Sequence, residues 1–396
     1  MRILTIAATP FFSDRGCHMR VYNEAKYLQA SGAEVVVCTY HLGKDIEGIR
    51  IRRIANVGWY RKKTPGFSWG KVWLDWKLFL LCKKELKKFQ PEIIHAHLFE
   101  GLAIGWLAKL LLGMKIPIVL DMQGDLRSEF KSYNKKNILA RKVFVLVSQW
   151  LIKKADFVVT SSDHALKALQ KIYPDKQALA VISDGVDIAF FSDLKSEADF
   201  QETELIKKIK KWQKKDRILI YTGTIDESKG ISEALTAFIE ALGRGLAGWK
   251  LLVVGYGKAL KKCKIQVASA KLTNEVYFTG GSSYFDLPDL LRLADAAIDP
   301  KHDTTEASGK LINYMAAGLP VIAFENRFNR SFLARKGFLI KKLDGDSLAE
   351  NLRRIETFTK PMQYDLQSYD EAVYVRKLEK IFKLQIKKDP SGIINT

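Results

Sequence analysis

The stretch Ala307-Ser-Gly-Lys-Leu-Ile-Asn-Tyr-Met-Ala-Ala-Gly-Leu-Pro-Val-Ile322 combines a short helix with the start of the strand that follows it. Gly318 and Pro320 are the residue types expected where a helix ends. Lys310 and Asn313 are three residues apart, so they share one face of the helix. A helix N-terminus that carries a cation and an amide suits the diphosphate and ribose of a nucleotide. A capped helix–strand connection with a solvated lysine is the alternative interpretation.

Strands alternate with helices on both sides of a polar stretch, Ser192–Asp216, that is rich in lysine and glutamate. This alternation is typical of parallel sheets with helices on both faces. The predicted strands are Arg2–Ala7, Glu34–Thr39, Pro91–His97, Pro117–Met122, Phe157–Ser161 and Leu179–Ile182, then Arg217–Thr222, Lys250–Val254, Val276–Thr279, Ala296–Asp299 and Pro320–Phe324. We therefore predict two α/β domains facing each other across a cleft, residues 1–190 and 191–370, followed by a C-terminal helix and tail, residues 371–396.

Glycine-rich turns follow several of the predicted strands, which is where ligands bind in such folds. The turns are Thr9–Gly16, Thr222–Gly230, Gly255–Gly257 and Gly280–Ser283. None is a Walker loop, and the first lacks the closely spaced glycines that cradle a dinucleotide, so an NAD-dependent dehydrogenase is disfavoured. Lys229 and Lys310 follow strands of the second domain, and their convergence on one cleft predicts a bound nucleoside diphosphate.

The charge balance narrows the choice of partners. Lysine and arginine outnumber aspartate and glutamate by 64 to 44, a formal net charge of +20. Nucleic acid, an anionic membrane and a polyanionic substrate are all compatible with that charge. No motif that reads nucleic acid is present, so we expect no nucleic-acid partner. Four scattered cysteines, with no signal peptide and no apolar run long enough to span a membrane, predict a cytoplasmic protein that is soluble or peripheral.

One basic stretch is also rich in tryptophan. Between Arg61 and Lys88, the residues Trp69, Trp73 and Trp76 stand among leucine, phenylalanine and lysine. Basic residues flanking such an apolar stretch are typical of a helix that lies on anionic lipid. This pattern predicts an anionic membrane surface as a partner, on its inner, cytoplasmic face. A core helix with a solvated lysine face is the alternative.

Taken in order, the motifs of the chain resemble those of a known family, the retaining, two-domain glycosyltransferases of family 4 with the GT-B fold. The likeness covers nearly the whole chain. Its landmarks are Ala30–Val37, Pro91–His97, Val158–Ser162, Val181–Asp187, Tyr221–Thr224, Lys229–Gly230 and Lys310–Pro320. The resemblance implies two Rossmann-like domains, with a C-terminal helix, about Tyr369–Leu384, that crosses back to the first domain.

The resemblance also implies an activity. Members move a sugar from a UDP- or GDP-sugar donor to an acceptor with retention and typically without a metal, so we expect no metal site and no cofactor besides the donor. The membrane signals favour a lipid-linked or surface-glycan acceptor, and cell-envelope glycan synthesis as the setting. Two alternatives stay open: a degenerate scaffold that binds a partner, and a sugar-nucleotide epimerase or phosphorylase of similar fold. A phosphorylase would need a pyridoxal-binding lysine, for which the sequence shows no signature.

The family's site residues carry over to matching positions. Lys229 and Lys310 match cations at the donor diphosphate, while Thr224 stands where an arginine is usual. Asn313 replaces the usual ribose-binding glutamate, and Thr305 replaces the first glutamate of that pair. Gln123 occupies the position often held by an active-site histidine, with Asp121 beside it as a polar contact to the sugar. The remaining predicted donor contacts are Gly16, Gly257, Gly281, Ser308, Gly309 and Leu311.

The histidines and one acidic pair allow more than one interpretation. His18 follows the first glycine loop and is a candidate contact to the donor phosphate, and His302 is a candidate for the sugar pocket. His95 and His97 are two apart on a strand, so they point to one face, and packing or cleft lining is expected rather than a metal site. Asp344-Gly-Asp346 is predicted to be a helix-capping turn.

Overall fold

The computed structural model describes residues 1–13, 16–62, 68–122, 146–172, 178–192, 204–302, 308–333 and 336–388. The chain forms two compact units. Unit 1 comprises Met1–Asp184 together with Glu371–Thr396, and unit 2 comprises Gly185–Asp370. The chain thus passes from unit 1 to unit 2 after residue 184 and returns after residue 370.

Unit 1 is built on a seven-stranded parallel sheet. The strands are β1 (Arg2–Ala7), β2 (Glu34–Thr39), β3 (Arg50–Arg53), β4 (Ile93–His97), β5 (Ile118–Met122), β6 (Phe157–Thr160) and β7 (Leu179–Val181). Their order across the sheet is β3-β2-β1-β4-β5-β6-β7. In register, Ile3 lies opposite Val35 on one neighbour and Ile93 on the other. Runs of valine, isoleucine and leucine without a polar face are expected for strands covered on both sides.

The helices of unit 1 cover both faces of this sheet. They are α1 (Gly16–Ala30), α2 (Trp69–Phe89), α3 (Leu98–Leu111), α4 (146–152), α5 (Asp163–Ile172) and α14 (Glu371–Lys387). Leu78, Leu102 and Leu151 place α2, α3 and α4 in one core cluster with Leu4 and Ile94. Neighbouring strand residues point to the opposite face, where α1 packs against α14. The predicted C-terminal helix therefore belongs to unit 1.

Unit 2 is built on a six-stranded parallel sheet. The strands are β8 (Arg217–Thr222), β9 (Trp249–Val254), β10 (Val276–Gly280), β11 (Ala296–Asp299), β12 (Val321–Phe324) and β13 (Phe338–Ile340), in the order β10-β9-β8-β11-β12-β13. The helices are α6 (Ile188–Ser192), α7 (Glu204–Gln213), α8 (Ile231–Gly243), α9 (Leu260–Ser269), α10 (Leu287–Arg292), α11 (Gly309–Ala316), α12 (Arg327–Leu333) and α13 (Gly345–Ile355). Two hydrophobic clusters cover the two faces of the sheet.

The predicted α/β class with two parallel sheets is confirmed. Strands β1, β2, β8 and β11 have the predicted bounds, whereas β3 and β13 were not predicted. Helix α7 lies within Ser192–Asp216, which we interpreted as a polar separator. Of the helix predicted at Lys142–Lys154, only residues from 146 onward are among those described. Within the described residues, no helix is long and apolar enough to cross a membrane.

Candidate functional site

The carboxyl edge of the unit 2 sheet has a switch point between β8 and β11. Strands β9 and β10 continue the sheet on one side of this pair, and β12 and β13 continue it on the other. Because connections leave a switch point in opposite directions, a crevice opens there, and ligands of open α/β sheets bind in such crevices. β8 ends at Thr222 and β11 ends at Asp299, so these residues mark the place.

Lys310 reaches this switch point from α11. Its Nζ lies 3.2 Å from Oδ1 of Asp299 and 4.4 Å from the ring centroid of Tyr221, the penultimate residue of β8. The Lys310 side chain is 15% exposed and that of Asp299 only 1%. Within the described residues, neither the ammonium nor either carboxylate oxygen has a hydrogen-bond partner. The edge therefore holds a half-buried cation whose hydrogen-bonding capacity is unused.

Helix α11 is tied to β8 beside this cation. The hydroxyl of Tyr314 accepts a hydrogen bond from the Thr222 N–H at 2.8 Å. Ser308 occupies the N-cap position without a side-chain capping bond, and Gly309 begins the helix. The Leu311 N–H donates to the Ser308 carbonyl at 2.9 Å, and the Leu311 side chain is fully buried. Leu311 thus anchors α11 to the core, while Ser308, which is buried, and Gly309, which is exposed, form its N-terminal end.

Two glycines hold the loops of this edge in close backbone contact. Gly255 has φ +148°, and a Cβ there would lie 1.9 Å from the Gly223 oxygen. Gly230 has φ +73°, and a Cβ there would lie 1.9 Å from the Pro300 oxygen. Gly230 directly follows Lys229, so the loop that carries Lys229 lies against the end of β11, the strand that supplies Asp299. Both positions require glycine for conformation and for space.

The other predicted donor residues lie along the same edge. Lys229 is half-buried in a short 3-10 turn, and Thr224 is exposed, its carbonyl accepting a hydrogen bond from the Tyr221 hydroxyl at 2.8 Å. Gly257 packs against Ile225, where a Cβ would lie 2.1 Å from the backbone oxygen. Asn313 is half-buried on α11, one turn after Gly309, and Gly281 is exposed after β10. Thr305 lies outside the described residues.

Two further residues of unit 2 resolve earlier alternatives. The carboxylate of Asp344 accepts a hydrogen bond from the Ser347 N–H at 2.9 Å, which confirms the capping turn at the start of α13. His302 is exposed, and its ring centroid lies 3.8 Å from that of Phe324 at the end of β12. The suggested contact of His302 with a sugar stays a prediction.

In unit 1, the corresponding switch point at the carboxyl edge of the sheet lies between β1 and β4. His18 is buried beneath the loop that joins β1 to α1. The Ser13 N–H donates to His18 Nδ1 at 3.1 Å, so Nε2 carries the proton and donates to the Thr9 hydroxyl at 2.7 Å. Both ring nitrogens are therefore used to hold the β1–α1 loop. His18 supports the loop from inside rather than facing a ligand. Gly16 is the first residue of α1.

A buried ionic cluster lies on the α1 face of the same sheet. Arg20 Nε is 2.6 Å from Asp121 Oδ2 and 3.2 Å from Glu24 Oε1, and its Nη1 is 2.8 Å from Asp184 Oδ1. His97 Nδ1 lies 3.3 Å from Asp121 Oδ2. The arginine therefore joins the end of β5 to the last residue of unit 1 before the crossing to unit 2. The predicted sugar contact Asp121 is fully buried and faces Arg20.

The electrostatics of the cluster assign its protonation states. Burial raises the pKa of Glu24, and the Asp121 charge raises it further, so Glu24 tends to be neutral. Burial opposes ionisation of Asp121 as well, but the Arg20 guanidinium and His97 together hold the pKa of Asp121 well below its usual range. Burial and the neighbouring His97 lower the pKa of His95. One charged pair, Arg20 and Asp121, therefore dominates the cluster.

Glu24, His95, His97 and Asp121 each offer a ligand atom, and these four atoms lie within 4.8 Å of one another. Imidazole and carboxylate are ligand types that transition metals accept. Arg20 already pairs with the Asp121 carboxylate and contacts the Glu24 side chain here, so charge compensation by protein is the interpretation the geometry favours. Gln123, the other predicted catalytic residue of unit 1, lies outside the described residues.

Sequence reasoning missed the partners of the predicted residues. Tyr221 and Asp299 were predicted only as parts of strands, and Tyr314 only as part of a helix, although all three position or pair with Lys310. Arg20 and Glu24 are four residues apart on α1, a helical spacing that could have indicated an ion pair. Nothing in the sequence connects Arg20 to Asp121 or Asp184, which follow 101 and 164 residues later.

Two α/β units, each built on its own parallel sheet, define the class of proteins with two Rossmann-like domains. Comparison with known families agrees. The family described as Glycosyltransferase Family 4 matches residues 15–190, and Glycosyl transferases group 1 matches residues 202–369. The two matches cover most of both units in turn. The chain belongs to this family of GT-B glycosyltransferases.

Individual relatives are distant. The 2-deoxystreptamine glucosyltransferase of Streptomyces kanamyceticus is 23% identical over 248 residues, 61% of this chain and 62% of that protein. The alignment thus spans less than two thirds of that relative. Glycogen synthase of Mycobacterium tuberculosis is 23% identical over 347 residues, 81% of this chain and 77% of that protein. Among solved structures, Anabaena Alr3699/HepE in complex with UDP and glucose has a TM-score of 0.68 at 17% identity, covering 97% of both chains.

Proposed function

We propose that the chain transfers a sugar from a nucleoside diphosphate sugar to an acceptor hydroxyl. The observation that carries this proposal is Lys310, a half-buried cation at the switch point of unit 2 that forms an ion pair with Asp299 but has no hydrogen-bond acceptor among the described residues. A diphosphate would supply the missing acceptors, and charge-assisted bonds of this kind are among the strongest that proteins form. The N-terminal end of α11, at Ser308 and Gly309, would add backbone dipoles directed at the diphosphate.

The chemistry required of side chains is modest. When the bond from sugar to diphosphate breaks, negative charge develops on the leaving phosphate, and fixed cations stabilise it. Lys310 and Lys229 would supply that charge, so we propose that no divalent ion is needed. Retention of the anomeric configuration belongs to the same proposal and follows the family resemblance. Asp299 is a positioning residue in this scheme, because its carboxylate holds the Lys310 ammonium at the strand edge.

UDP-sugars are the first donors to test. The solved Alr3699/HepE protein binds UDP and UDP-glucose, and this chain shares its fold. Asn313 would contact the ribose, because it lies one turn along α11 from Gly309, the first residue of the helix. An asparagine offers one acceptor oxygen and a donor amide, where a carboxylate would accept from both ribose hydroxyls. GDP-sugars are the second choice.

We further propose that unit 1 receives a lipid-linked or surface-glycan acceptor at the cytoplasmic side of a membrane. The carboxyl edge of its sheet has a switch point between β1 and β4, and the ionic cluster of Arg20 fixes the end of β5 beside it. The exposed tryptophans of α2 and the net charge of +20 support a membrane setting.

The test is release of nucleotide from a panel of UDP- and GDP-sugars, with and without glycan and glycolipid acceptors. The parent should release nucleotide from at least one donor, with an acceptor-dependent increase that persists in EDTA. Lys310→Ala should lose most of this activity. Lys250→Ala is the matched control, because Lys250 is 16% exposed and pairs with Asp216 and Glu275 at the amino end of the same sheet.

Other outcomes separate the alternatives. Conversion of a UDP-sugar to its epimer without transfer would indicate an epimerase. No nucleotide binding and no turnover would indicate a scaffold. Equal activity of the Lys310→Ala and Lys250→Ala variants would contradict the placement of the donor site. The anomeric configuration of the product, read by NMR coupling constants, decides retention.

A further inference from the structure

The outward side of α2 carries one exposed stripe at helical spacing. Its apolar members are Trp69, Val72, Trp73, Trp76 and Leu80, of which Trp69 is 82% exposed. Three exposed lysines, Lys84, Lys87 and Lys88, continue the stripe to the end of the helix. The two acidic residues of α2 do not interrupt it, because Asp75 accepts a hydrogen bond from Tyr40 and Glu85 is buried. The stripe is therefore apolar, then basic, and free of carboxylates.

The next two helices continue this surface. Leu107, Leu110 and Leu111 are exposed at the end of α3, and Leu146, Val147 and Trp150 are exposed on α4. α2, α3 and α4 lie side by side on one face of the sheet, since their inner residues share one core cluster. Trp106 of α3 meets Trp150 of α4 edge to face, with ring centroids 4.9 Å apart. We call the outward side of these three helices the exposed apolar face.

Such a concentration is unusual for a water-facing helical layer. Of 17 large hydrophobic side chains that are exposed among the described residues, 11 lie on these three helices. Exposed hydrophobic residues scattered singly need no explanation, whereas contiguous exposed patches mark interaction sites. The exposed apolar face is therefore expected to have a partner.

The charges on this face favour a lipid partner over a second copy of the chain. Exposed lysines follow the apolar residues on each helix: Lys84, Lys87 and Lys88 on α2, Lys115 after α3 and Lys153 after α4. A symmetric contact between two copies would bring the same patch against itself, and the stripe on α2 offers no carboxylate to pair with these lysines. Lys154 lies over the rings of Trp106 and Trp150, at 5.5 and 4.9 Å from their centroids. Tryptophan with lysine at its edge is the chemistry of a membrane interface.

We propose that the exposed apolar face of α2, α3 and α4 docks on an anionic lipid bilayer. The aromatic rings enter the headgroup region and the lysines contact anionic headgroups. Docking would hold unit 1 at the surface where a lipid-linked acceptor resides, and only this last point rests on the proposed glycosyltransfer.

The experiment is vesicle flotation of the full chain with phosphatidylcholine alone or mixed with phosphatidylglycerol, at low and high salt. The parent should float only with the anionic vesicles, and salt should reduce but not abolish flotation. Trp73→Ser with Trp150→Ser tests both ends of the face and should abolish the salt-resistant part. Lys84→Gln with Lys87→Gln should weaken binding by more than about tenfold at low salt, since each lysine near an anionic surface contributes about fivefold.

The matched control is Ile265→Ser with Phe358→Ser, because both side chains are about half exposed but belong to unit 2 and lie outside the predicted donor contacts. This variant should float like the parent. Equal flotation with neutral and anionic vesicles, or none with either, would overturn the proposal. So would a lipid-free dimer, seen by sedimentation velocity, that Trp73→Ser and Trp150→Ser dissociate. UDP titration of the same samples keeps the two proposals apart, because docking can fail while nucleotide binding persists.

Discussion

Replacing Arg20 with methionine tests whether the buried ionic cluster stabilises unit 1. Methionine keeps much of the apolar stem of the side chain but removes the guanidinium. Asp121 is fully buried and would lose its cation, and the removal of one partner from a buried ion pair costs about 3–5 kcal/mol. Asp184 is 57% exposed, so its share of the loss is small. We expect unit 1 of the variant to lose about 3 kcal/mol or more at neutral pH.

The loss of stability in Arg20→Met should be larger at neutral pH than at low pH. In the parent, Arg20 holds the pKa of Asp121 below its usual value, so the pair stabilises the fold at neutral pH and the gain disappears as pH falls through that low pKa. In the variant, burial without the cation raises the pKa of Asp121 instead. The buried Asp121 charge therefore destabilises the variant at neutral pH. This loss of stability disappears below about pH 4, where Asp121 is protonated in the unfolded chain as well. The difference between parent and variant shrinks with acidification.

Urea denaturation followed by tryptophan fluorescence measures this effect, since six of the eight tryptophans belong to unit 1. Lys383→Met is the matched control, because Lys383 is 61% exposed and pairs with Glu379 on the surface of the same unit. It should change stability by less than about 1 kcal/mol. A loss below about 1 kcal/mol for Arg20→Met, or the same loss near pH 4 and pH 7, would show that the pair of Arg20 and Asp121 does not stabilise unit 1.

Three further predictions concern single positions. Asp75→Asn should stabilise the protein near pH 8 by up to about 3 kcal/mol and leave its stability unchanged near pH 4. The reason is that burial raises the pKa of Asp75 to about 6, while asparagine still accepts the hydrogen bond from Tyr40. Urea denaturation at both pH values measures this, and a loss of stability near pH 8 would contradict it. Gly255→Ala should destabilise unit 2 by more than about 2 kcal/mol in thermal melts. Gly245→Ala is the control and should cost about 1 kcal/mol, because Gly245 also has a positive φ, +88°, but no atom lies near the added Cβ. Equal costs would count against the packing of Gly255 on Gly223. Asn313→Ala should weaken UDP in calorimetry but spare pyrophosphate, whereas equal losses would make Asn313 a structural residue.

The strand edges of both units could be predicted because buried parallel strands are short apolar runs that end at glycine or polar turns. β8 and β11 show this, and the predicted donor cations follow those strands in the chain. β3 was missed because Arg50-Ile-Arg-Arg53 has no apolar run, and it joins the sheet edge through pairing with β2. α7 was missed although Ile206, Ile209 and Trp212 have helical spacing, because the surrounding lysines dominated the interpretation.

The ionic cluster lay beyond sequence reasoning for a different reason. Asp121 was predicted to contact a sugar because the family resemblance places it beside Gln123, which occupies a position often held by an active-site histidine. In the structure, alternation along β5 turns its side chain toward α1, where Arg20 pairs with it. Which of several buried polar residues meet is decided by how helices pack on a sheet, and that information is tertiary. The exposed apolar face shows the same limit, since only α2 carried its signal in the sequence.

Calorimetric titration of UDP into the parent, Lys310→Ala and Lys250→Ala tests whether the donor diphosphate binds at Lys310. Lys310 and Lys250 are equally shielded lysines of unit 2, each paired with carboxylate, at opposite ends of one sheet. We expect Lys250→Ala to bind UDP like the parent and Lys310→Ala to bind it about tenfold more weakly or worse, since one charge-assisted phosphate contact is lost. Unchanged affinity in Lys310→Ala, with the parent binding UDP at one site, would contradict a donor site at the switch point of β8 and β11.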